Sequence, residues 1–147
     1  MKIKINCVRF NRSLVDGPGV RTVLFMQGCD VRCNGCQNAL TWDISGGIET
    51  DTAELAALLR KKSVNKKLTI SGGEPLLQKE ALCDLVEKLN GFDIALYTGH
   101  AKSEVPKVVL SKIRYLKTGR FIKEQATTIK PYVGSENQIF EEVNHAQ

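Results

Sequence analysis

The stretch Val20-Arg21-Thr22-Val23-Leu24-Phe25-Met26-Gln27-Gly28-Cys29-Asp30-Val31-Arg32-Cys33-Asn34-Gly35-Cys36 decides the fold. Five of its first seven residues are apolar and three are β-branched, as in a buried strand. The remainder places three cysteines within eight residues, separated by three and then two others. Gly28, Gly35 and Asn34 let the backbone curl so that three thiolates can face one point. Thiolates are the soft ligands of zinc and of iron–sulfur clusters. A four-iron cluster normally takes four ligands, so three leave one iron open, where a small molecule can bind and react. Structural zinc is the rival reading. Zinc sites pair two short Cys or Cys/His units, and the remaining residues of those types, Cys7, Cys83, His100 and His145, each stand alone. A loop without metal is the third reading. A disulfide is not expected, because three clustered thiols cannot all pair and Met1-Lys2-Ile3-Lys4-Ile5 lacks the apolar core of a secretory signal.

Strand and helix alternate on both sides of this stretch. Ile3 to Val8 is expected as a first strand, with Cys7 as a small core residue. Asp16-Gly17-Pro18-Gly19 is a turn by composition. Beyond Trp42 and a Ser45-Gly46-Gly47 break, Asp51-Thr52-Ala53-Glu54 reads as a capping box for a helix to about Lys62, with Leu55, Leu58 and Leu59 on one face. Lys67 to Ile70 is a strand followed by Ser71-Gly72-Gly73-Glu74-Pro75. A helix over about Gln78 to Leu89 carries Leu82, Leu85, Val86 and Leu89 at three- and four-residue spacing, with Cys83 beside that stripe and Asn90-Gly91 as its stop. Asp93 to Tyr97 is a strand followed by Thr98-Gly99-His100. A weaker helix covers about Glu104 to Leu110, with Pro106 in its first turn. Ile113 to Leu116 is a strand followed by Lys117-Thr118-Gly119, and the tail from Arg120 reads as irregular.

This alternation predicts an α/β fold with mainly parallel strands. In such folds the loops at the carboxyl ends of the strands gather on one side and build the site. Four of them carry polar or glycine-rich signals: the cysteine loop, Ser71 to Glu74, Thr98 to His100, and Lys117 to Gly119. Four or five βα units are too few for a closed eight-stranded barrel and fit an open, partial (β/α) barrel. The 147 residues fit a single domain over positions 1–147.

The longest apolar run is about five residues, so nothing is expected to span a membrane. The composition, 42% hydrophobic and 25% charged, is that of an ordinary soluble chain. A reducing cytoplasm is the expected compartment. The net charge of +5 comes with no aromatic interleaving or docking motif for nucleic acid, so a solvated basic face is the reading. Gly72-Gly73 at a strand end exposes backbone groups, and Glu74 adds an acceptor, so this loop can hold the amine of an amino-acid-like ligand. It lacks the Lys-Ser/Thr ending of a phosphate loop. An ordinary turn before a helix is the plain alternative.

The residues resemble a known family. Cys29-x-x-x-Cys33-x-x-Cys36 looks like the radical S-adenosylmethionine cluster motif, and Ser71-Gly72-Gly73-Glu74-Pro75 like that superfamily's motif for the methionine amine. Asp16-Gly17-Pro18-Gly19-Val20-Arg21 is similar to the glycyl-radical-enzyme activases. Asn38 to Trp42, Tyr97-Thr98-Gly99, Lys117-Thr118-Gly119 and Gly134-Ser135-x-Asn137-Gln138 resemble those that act on anaerobic (class III) ribonucleotide reductase. The resemblance runs over roughly residues 5 to 140. It implies that Cys29, Cys33 and Cys36 ligate a [4Fe-4S] cluster and that S-adenosylmethionine chelates the fourth iron. A 5′-deoxyadenosyl radical then takes hydrogen from a glycine of a large partner subunit. It further implies that Ser71, Gly72, Gly73 and Glu74 bind S-adenosylmethionine, that Thr98 and Lys117 line the same cavity, and that Asp16 and Gly17 meet the partner's glycine loop. A low-potential electron donor such as flavodoxin or ferredoxin is implied as well. Gln37 stands where relatives usually have an aromatic residue and is expected to cover the adenine through its backbone. Acidic residues that relatives carry near Tyr97 and Thr118 are missing, so a monovalent-cation site is not carried over. Cys7 and Cys83 are too few and too far apart for additional ferredoxin-like clusters. Three further readings stand beside this one: a radical enzyme acting on a small molecule, as in the short 7-carboxy-7-deazaguanine synthases, a zinc-stabilised binding module without catalysis, and a degenerate activase.

Overall fold

The computed structural model describes residues 1–33 and 39–144. In chain order its elements are β1 (Lys2–Ser13), β2 (Arg21–Met26), β3 (Ile48–Asp51), α1 (Thr52–Lys62), β4 (Lys67–Gly72), α2 (Lys79–Glu87), β5 (Asp93–Tyr97), α3 (Lys107–Lys112), β6 (Tyr115–Thr118) and β7 (Ile139–Glu142). All seven strands join one sheet in the order β3-β1-β2-β4-β5-β6-β7. The four central strands, β2, β4, β5 and β6, run parallel. Parallel neighbours need a crossover, and α1, α2 and α3 supply those into β4, β5 and β6. The flanks are antiparallel: β1 on β2, β3 on β1, and β7 on β6. The sheet is therefore mixed, with a parallel centre.

One face of the sheet takes the helices. Leu24 and Met26 of β2, Leu68 and Ile70 of β4, Ile94 and Leu96 of β5, and Leu116 of β6 pack against Leu55 and Leu59 of α1, Leu82, Leu85 and Val86 of α2, and Val109 of α3. Burying each such side chain contributes roughly 1.5–3 kcal/mol relative to exposure. Cys83 packs against the edge of this core. The carboxylate of Asp51 starts α1 by accepting the Ala53 N–H at 2.9 Å.

Because strand side chains alternate, the second face carries Val23, Phe25, Thr69, Ser71, Ala95, Tyr97, Tyr115 and Lys117, and the register aligns them in two rows. The lower row runs Val23, Thr69, Ala95, Tyr115, and the upper row pairs Phe25 with Ser71 and Tyr97 with Lys117. The Asp16-to-Gly19 turn lies against the lower row. The Asp16 carbonyl accepts from Thr69 Oγ1, and a methyl on Gly17, whose φ is 117°, would sit 3.1 Å from Arg21 Cδ and 3.7 Å from Ala95 Cβ. Arg21 is fully buried. Its guanidinium donates to Thr69 Oγ1 (2.8 Å), Pro18 O (2.9 Å), Leu68 O (3.0 Å), Asp93 O (2.7 Å) and Asp93 Oδ1 (2.9 Å). One side chain thus staples the turn to the amino ends of β2, β4 and β5, and the upper row is left for the loops above it.

Several boundaries differ from the sequence expectation. β1 runs past Val8 to Ser13, because β2 pairs with it through irregularities that put Asn11 at a φ of 53°. α2 ends before Leu89, and it begins after Gln78, whose amide is engaged with the backbone of Lys4. α3 begins at Lys107 rather than near Glu104, since Pro106 disfavours helix at Val105. β6 begins at Tyr115 because Ile113 still bonds back to Val109 at the end of α3. Two strands were not expected, β3 and β7. Each has four residues with little apolar pattern, and each is formed by the edge that β1 or β6 offers.

Candidate functional site

At the carboxyl end of β2 the chain turns through Gly28, at a φ of 97°, where a methyl would meet Ile44 and Leu77 within 3 Å. The Gly28 N–H donates to Thr41 O and the Cys29 N–H to Trp42 O (3.0 Å), so the entrance of the cysteine loop is fastened to the segment that follows it. Cys29 is buried, Cys33 is half-buried, and neither is in a disulfide. Arg32 takes a φ of 47°. It turns back to Cys29, its N–H donating to Sγ (3.3 Å) and its Nε to the carbonyl (3.0 Å). Cys36 and Gln37 lie outside the described residues, as does His145. Among the described residues no three of His, Cys, Asp and Glu converge on a metal position.

The Gly72–Gly73 step is pressed against this entrance. Gly72 has a φ of 125°, and a methyl on it would lie 2.3 Å from Met26 N. A methyl on Gly73 would lie 2.2 Å from Gly28 O and 3.1 Å from Thr41 O. The Gly73 N–H donates to Met26 O (3.2 Å) and the Glu74 N–H to Gly28 O (2.8 Å). The sequence reading gave these glycines room for a ligand; the space their missing Cβ atoms leave is filled by the backbone of β2 and Gly28. Ser71, just before them, is buried on the upper row.

Glu74 is 1% exposed. Its Oε2 accepts from Leu76 N–H (2.8 Å) and Thr98 Oγ1 (2.7 Å), and its Oε1 from Gly99 N–H (2.7 Å). Burial pushes its pKa up against the pull of those three hydrogen bonds and the nearby His100. Thr98 is thereby placed, and its own N–H donates to Lys117 O (3.0 Å). Lys117 Nζ stands 4.4 Å from the centre of the Tyr97 ring. Tyr97 is 7% exposed, and its hydroxyl has no hydrogen-bond partner among the described residues. Burial raises its pKa well above the usual phenol range, with the Asp16 charge adding to the effect. A buried, unpaired hydroxyl is costly, so the upper row holds a polar group ready for a partner. Asp16 itself lies one row lower, its carboxylate accepting from Ser13 Oγ.

Three contacts clamp the cysteine loop to the loops after β5 and β6. Asp30 Oδ1 lies 3.2 Å from His100 Nε2, and Glu104 Oε2 lies 3.3 Å from His100 Nδ1. Burial lowers the pKa of His100, but the hydrogen bond to Asp30 and the charges of Glu74, Asp30 and Glu104 outweigh it and leave it raised. The Val31 side chain sits on Gly99, where a methyl would be 3.1 Å away, and the Val31 carbonyl accepts from Arg120 Nη2 (3.1 Å). Arg120 is fixed in turn by the tail. Asn137 Nδ2 donates to its carbonyl (2.8 Å), and Gln138 bonds Gly134 N–H, Ser135 N–H and Gly119 O. The late Gly134-to-Gln138 run is a fastening of the tail onto the Lys117-to-Gly119 loop. The sequence reading did not single out Asp30, Arg32 or Arg120, and it took His100 only as a lone candidate metal ligand. A cavity of about 590 Å³ opens beside the clamp, lined by Asp30, Leu77, Lys79, His100 and Glu104 among others; Ser71, Tyr97 and Lys117 do not line it.

Comparison with known proteins gives the following. Residues 15–141 match the family described as a 4Fe-4S single cluster domain. The chain is 47% identical over 92 residues to pyruvate formate-lyase-activating enzyme of Clostridium pasteurianum, covering 58% of this chain and 39% of that one. It is 34% identical over 139 residues to the anaerobic ribonucleoside-triphosphate reductase-activating protein of Vibrio cholerae, covering 86% of this chain and 90% of that one. Among solved structures, QueE from Escherichia coli superposes with a TM-score of 0.56 at 22% identity, over 77% of this chain and 68% of that one.

Proposed function

The chain belongs to the 4Fe-4S single cluster family and, within it, to the anaerobic ribonucleoside-triphosphate reductase-activating proteins, and from that premise we propose that it cleaves S-adenosylmethionine reductively and installs a glycyl radical on the large subunit of anaerobic ribonucleotide reductase. One observation carries this reading. The cysteine loop, the Gly72-to-Glu74 loop and the loops after β5 and β6 meet at one end of the sheet and are bonded to one another.

The donor set fits the group. Cys29 and Cys33 lie on one loop and form no disulfide, and Cys36 completes in the sequence the trio of soft thiolate donors that an iron–sulfur cluster takes. When bound, the reduced cluster supplies one electron to the sulfonium of S-adenosylmethionine, whose S–C5′ bond breaks. The chain's own residues hold and orient. Cys29, Cys33 and Cys36 ligate three irons. Ser71, Gly72 and Gly73 offer polar groups to the methionine amine, and Glu74 keeps that loop closed on Thr98 and Gly99. Thr98 and Lys117, from the loops after β5 and β6, contact S-adenosylmethionine, Gln37 covers the adenine, and Asp16 and Gly17 meet the partner's glycine loop. The sheet acts as an open partial barrel, a likeness to QueE supporting the fold, and residues 1–147 form one domain. Among the described residues no helix is long and apolar enough to cross a membrane; the reading places the protein in the cytoplasm, with a low-potential donor such as flavodoxin or ferredoxin.

The test is anaerobic reconstitution with iron and sulfide, reduction, addition of S-adenosylmethionine and quantification of 5′-deoxyadenosine, first alone and then with the reductase while recording the glycyl radical signal. Cys29→Ala, Cys33→Ala and Cys36→Ala are each expected to abolish cluster and product. Cys7→Ala and Cys83→Ala, on half-buried side chains away from the loop, keep both. Full activity in Cys33→Ala sinks the assignment, product without a glycyl signal assigns a different substrate, and a colourless protein with stoichiometric zinc assigns a binding module.

A further inference from the structure

We propose that Arg32 is a positioning residue for the first cluster ligand: its backbone N–H, aimed by a left-handed conformation, holds the Cys29 sulfur and makes the cluster easier to reduce. This rests on the cluster reading given above. Between Cys29 and Cys33 the three intervening residues divide their work. Asp30 faces His100, and Val31 is seated on Gly99 with its carbonyl held by Arg120. Arg32 turns the other way. Its N–H points at Cys29 Sγ (3.3 Å) while its Nε closes on the Cys29 carbonyl (3.0 Å).

That return requires the φ of 47°. A positive φ is uncommon outside glycine, asparagine and aspartate, so an arginine adopts it where contacts enforce it. Here two hydrogen bonds to one residue do so, and that residue carries the ligating sulfur. An N–H donated to a ligating sulfur spreads its negative charge. Reduction adds negative charge to the cluster, so the donor stabilises the reduced form and raises the potential. Losing it shifts the potential down.

Three neutral variants separate backbone from side chain. Arg32→Gly and Arg32→Asn accept the left-handed conformation and keep the N–H; Arg32→Val, β-branched, resists it. Iron and acid-labile sulfide are measured after reconstitution, and the midpoint potential by a redox titration followed by electron paramagnetic resonance, without S-adenosylmethionine. The expected result is full loading and a shared midpoint for the glycine and asparagine variants, with a more negative midpoint or reduced iron in the valine variant. Equal loading and midpoint in all three overturns the proposal. Equal iron loss in all three overturns it as well, because the guanidinium is then the operative group. A measurement on the unaltered chain stands apart from any folding defect: with arginine labelled by 15N at the backbone nitrogen, the reduced cluster shows a 15N coupling that Arg32→Lys made with unlabelled lysine lacks. No coupling in the parent overturns the contact. A parent that takes up no iron or sulfide overturns the cluster reading too, and is seen before any variant is made.

Discussion

Gly73→Ala places a methyl where the backbone of the neighbouring loop already lies. The added Cβ falls 2.2 Å from Gly28 O, 2.9 Å from Gly28 C and 3.1 Å from Thr41 O, none of which can rotate away as a side chain can. Contacts below 3.0 Å are not sustained, so the two loops must part by at least 3.0 − 2.2 = 0.8 Å. Parting them stretches the 2.8 Å bond from Glu74 N–H to Gly28 O and moves the residue just before Cys29. Overpacking costs about 1–3 kcal/mol and the lost hydrogen bond about 0.5–1.5 kcal/mol, together roughly 2–4 kcal/mol. Gly91→Ala is the control: Gly91 has a φ of 88° with nothing within 4 Å of the added methyl, so only left-handed strain of about 1–2 kcal/mol applies. Urea unfolding of the metal-free protein reads the stability, and iron content after reconstitution reads the ligand. Gly73→Ala should lose more stability than Gly91→Ala and also lose iron, while Gly91→Ala keeps its iron. A Gly73→Ala protein as stable as Gly91→Ala and fully loaded would refute the seam between the two loops.

Other outcomes follow from the same contacts. Glu74→Gln replaces an acceptor oxygen by an NH2 facing Leu76 N–H, Thr98 Oγ1 or Gly99 N–H, and one orphaned buried donor should cost about 1–3 kcal/mol in urea unfolding; an unchanged midpoint contradicts this. Arg21→Met removes a fully buried guanidinium with five bonds and breaks its pair with Asp93, which should cost about 3–5 kcal/mol and raise proteolysis within residues 13–20; a variant cut no faster than the parent argues against the staple. His100 has a raised pKa, so the stability its charged form gives the clamp with Asp30 and Glu104 is fully present below the ordinary imidazole value of about 6.5 and is lost as pH rises through the raised folded value. Stability of the parent should therefore fall relative to His100→Gln as pH is raised from about 6.5, and parallel curves for the two would remove His100 from the clamp.

The sequence was legible where burial on both faces left its mark. β2 and β5 are apolar runs because a central parallel strand touches helices on one side and protein on the other, and the reading placed β5 at its observed limits. The four special loops announced themselves through glycine, cysteine and proline and did come together. The short strands β3 and β7 were invisible because half their residues face water and none of their pairing is local. The clamp was invisible for a different reason. Asp30 meets His100 across 70 positions and Arg120 meets Val31 across 89, and no periodicity encodes such partners. Gly72 and Gly73 show a subtler limit: a missing Cβ signals close approach without saying whether a ligand or the chain's own backbone approaches.

The flanking strands carry a consequence for how copies of the molecule behave toward one another. An open sheet offers unpaired N–H and C=O groups at each rim, and such rims recruit strands from other chains. Here β3 and β7 are only four residues each, Ile48-Glu49-Thr50-Asp51 and Ile139-Phe140-Glu141-Glu142. Each carries two carboxylates, of which Asp51 pairs with the amino terminus, Glu141 with Lys102 and Glu142 with Arg114. A second copy drawn to either rim would find a ladder of only four residues, and its approach would have to break or accommodate these ion pairs. Two short, ion-paired strands thus work against edge-to-edge association between copies.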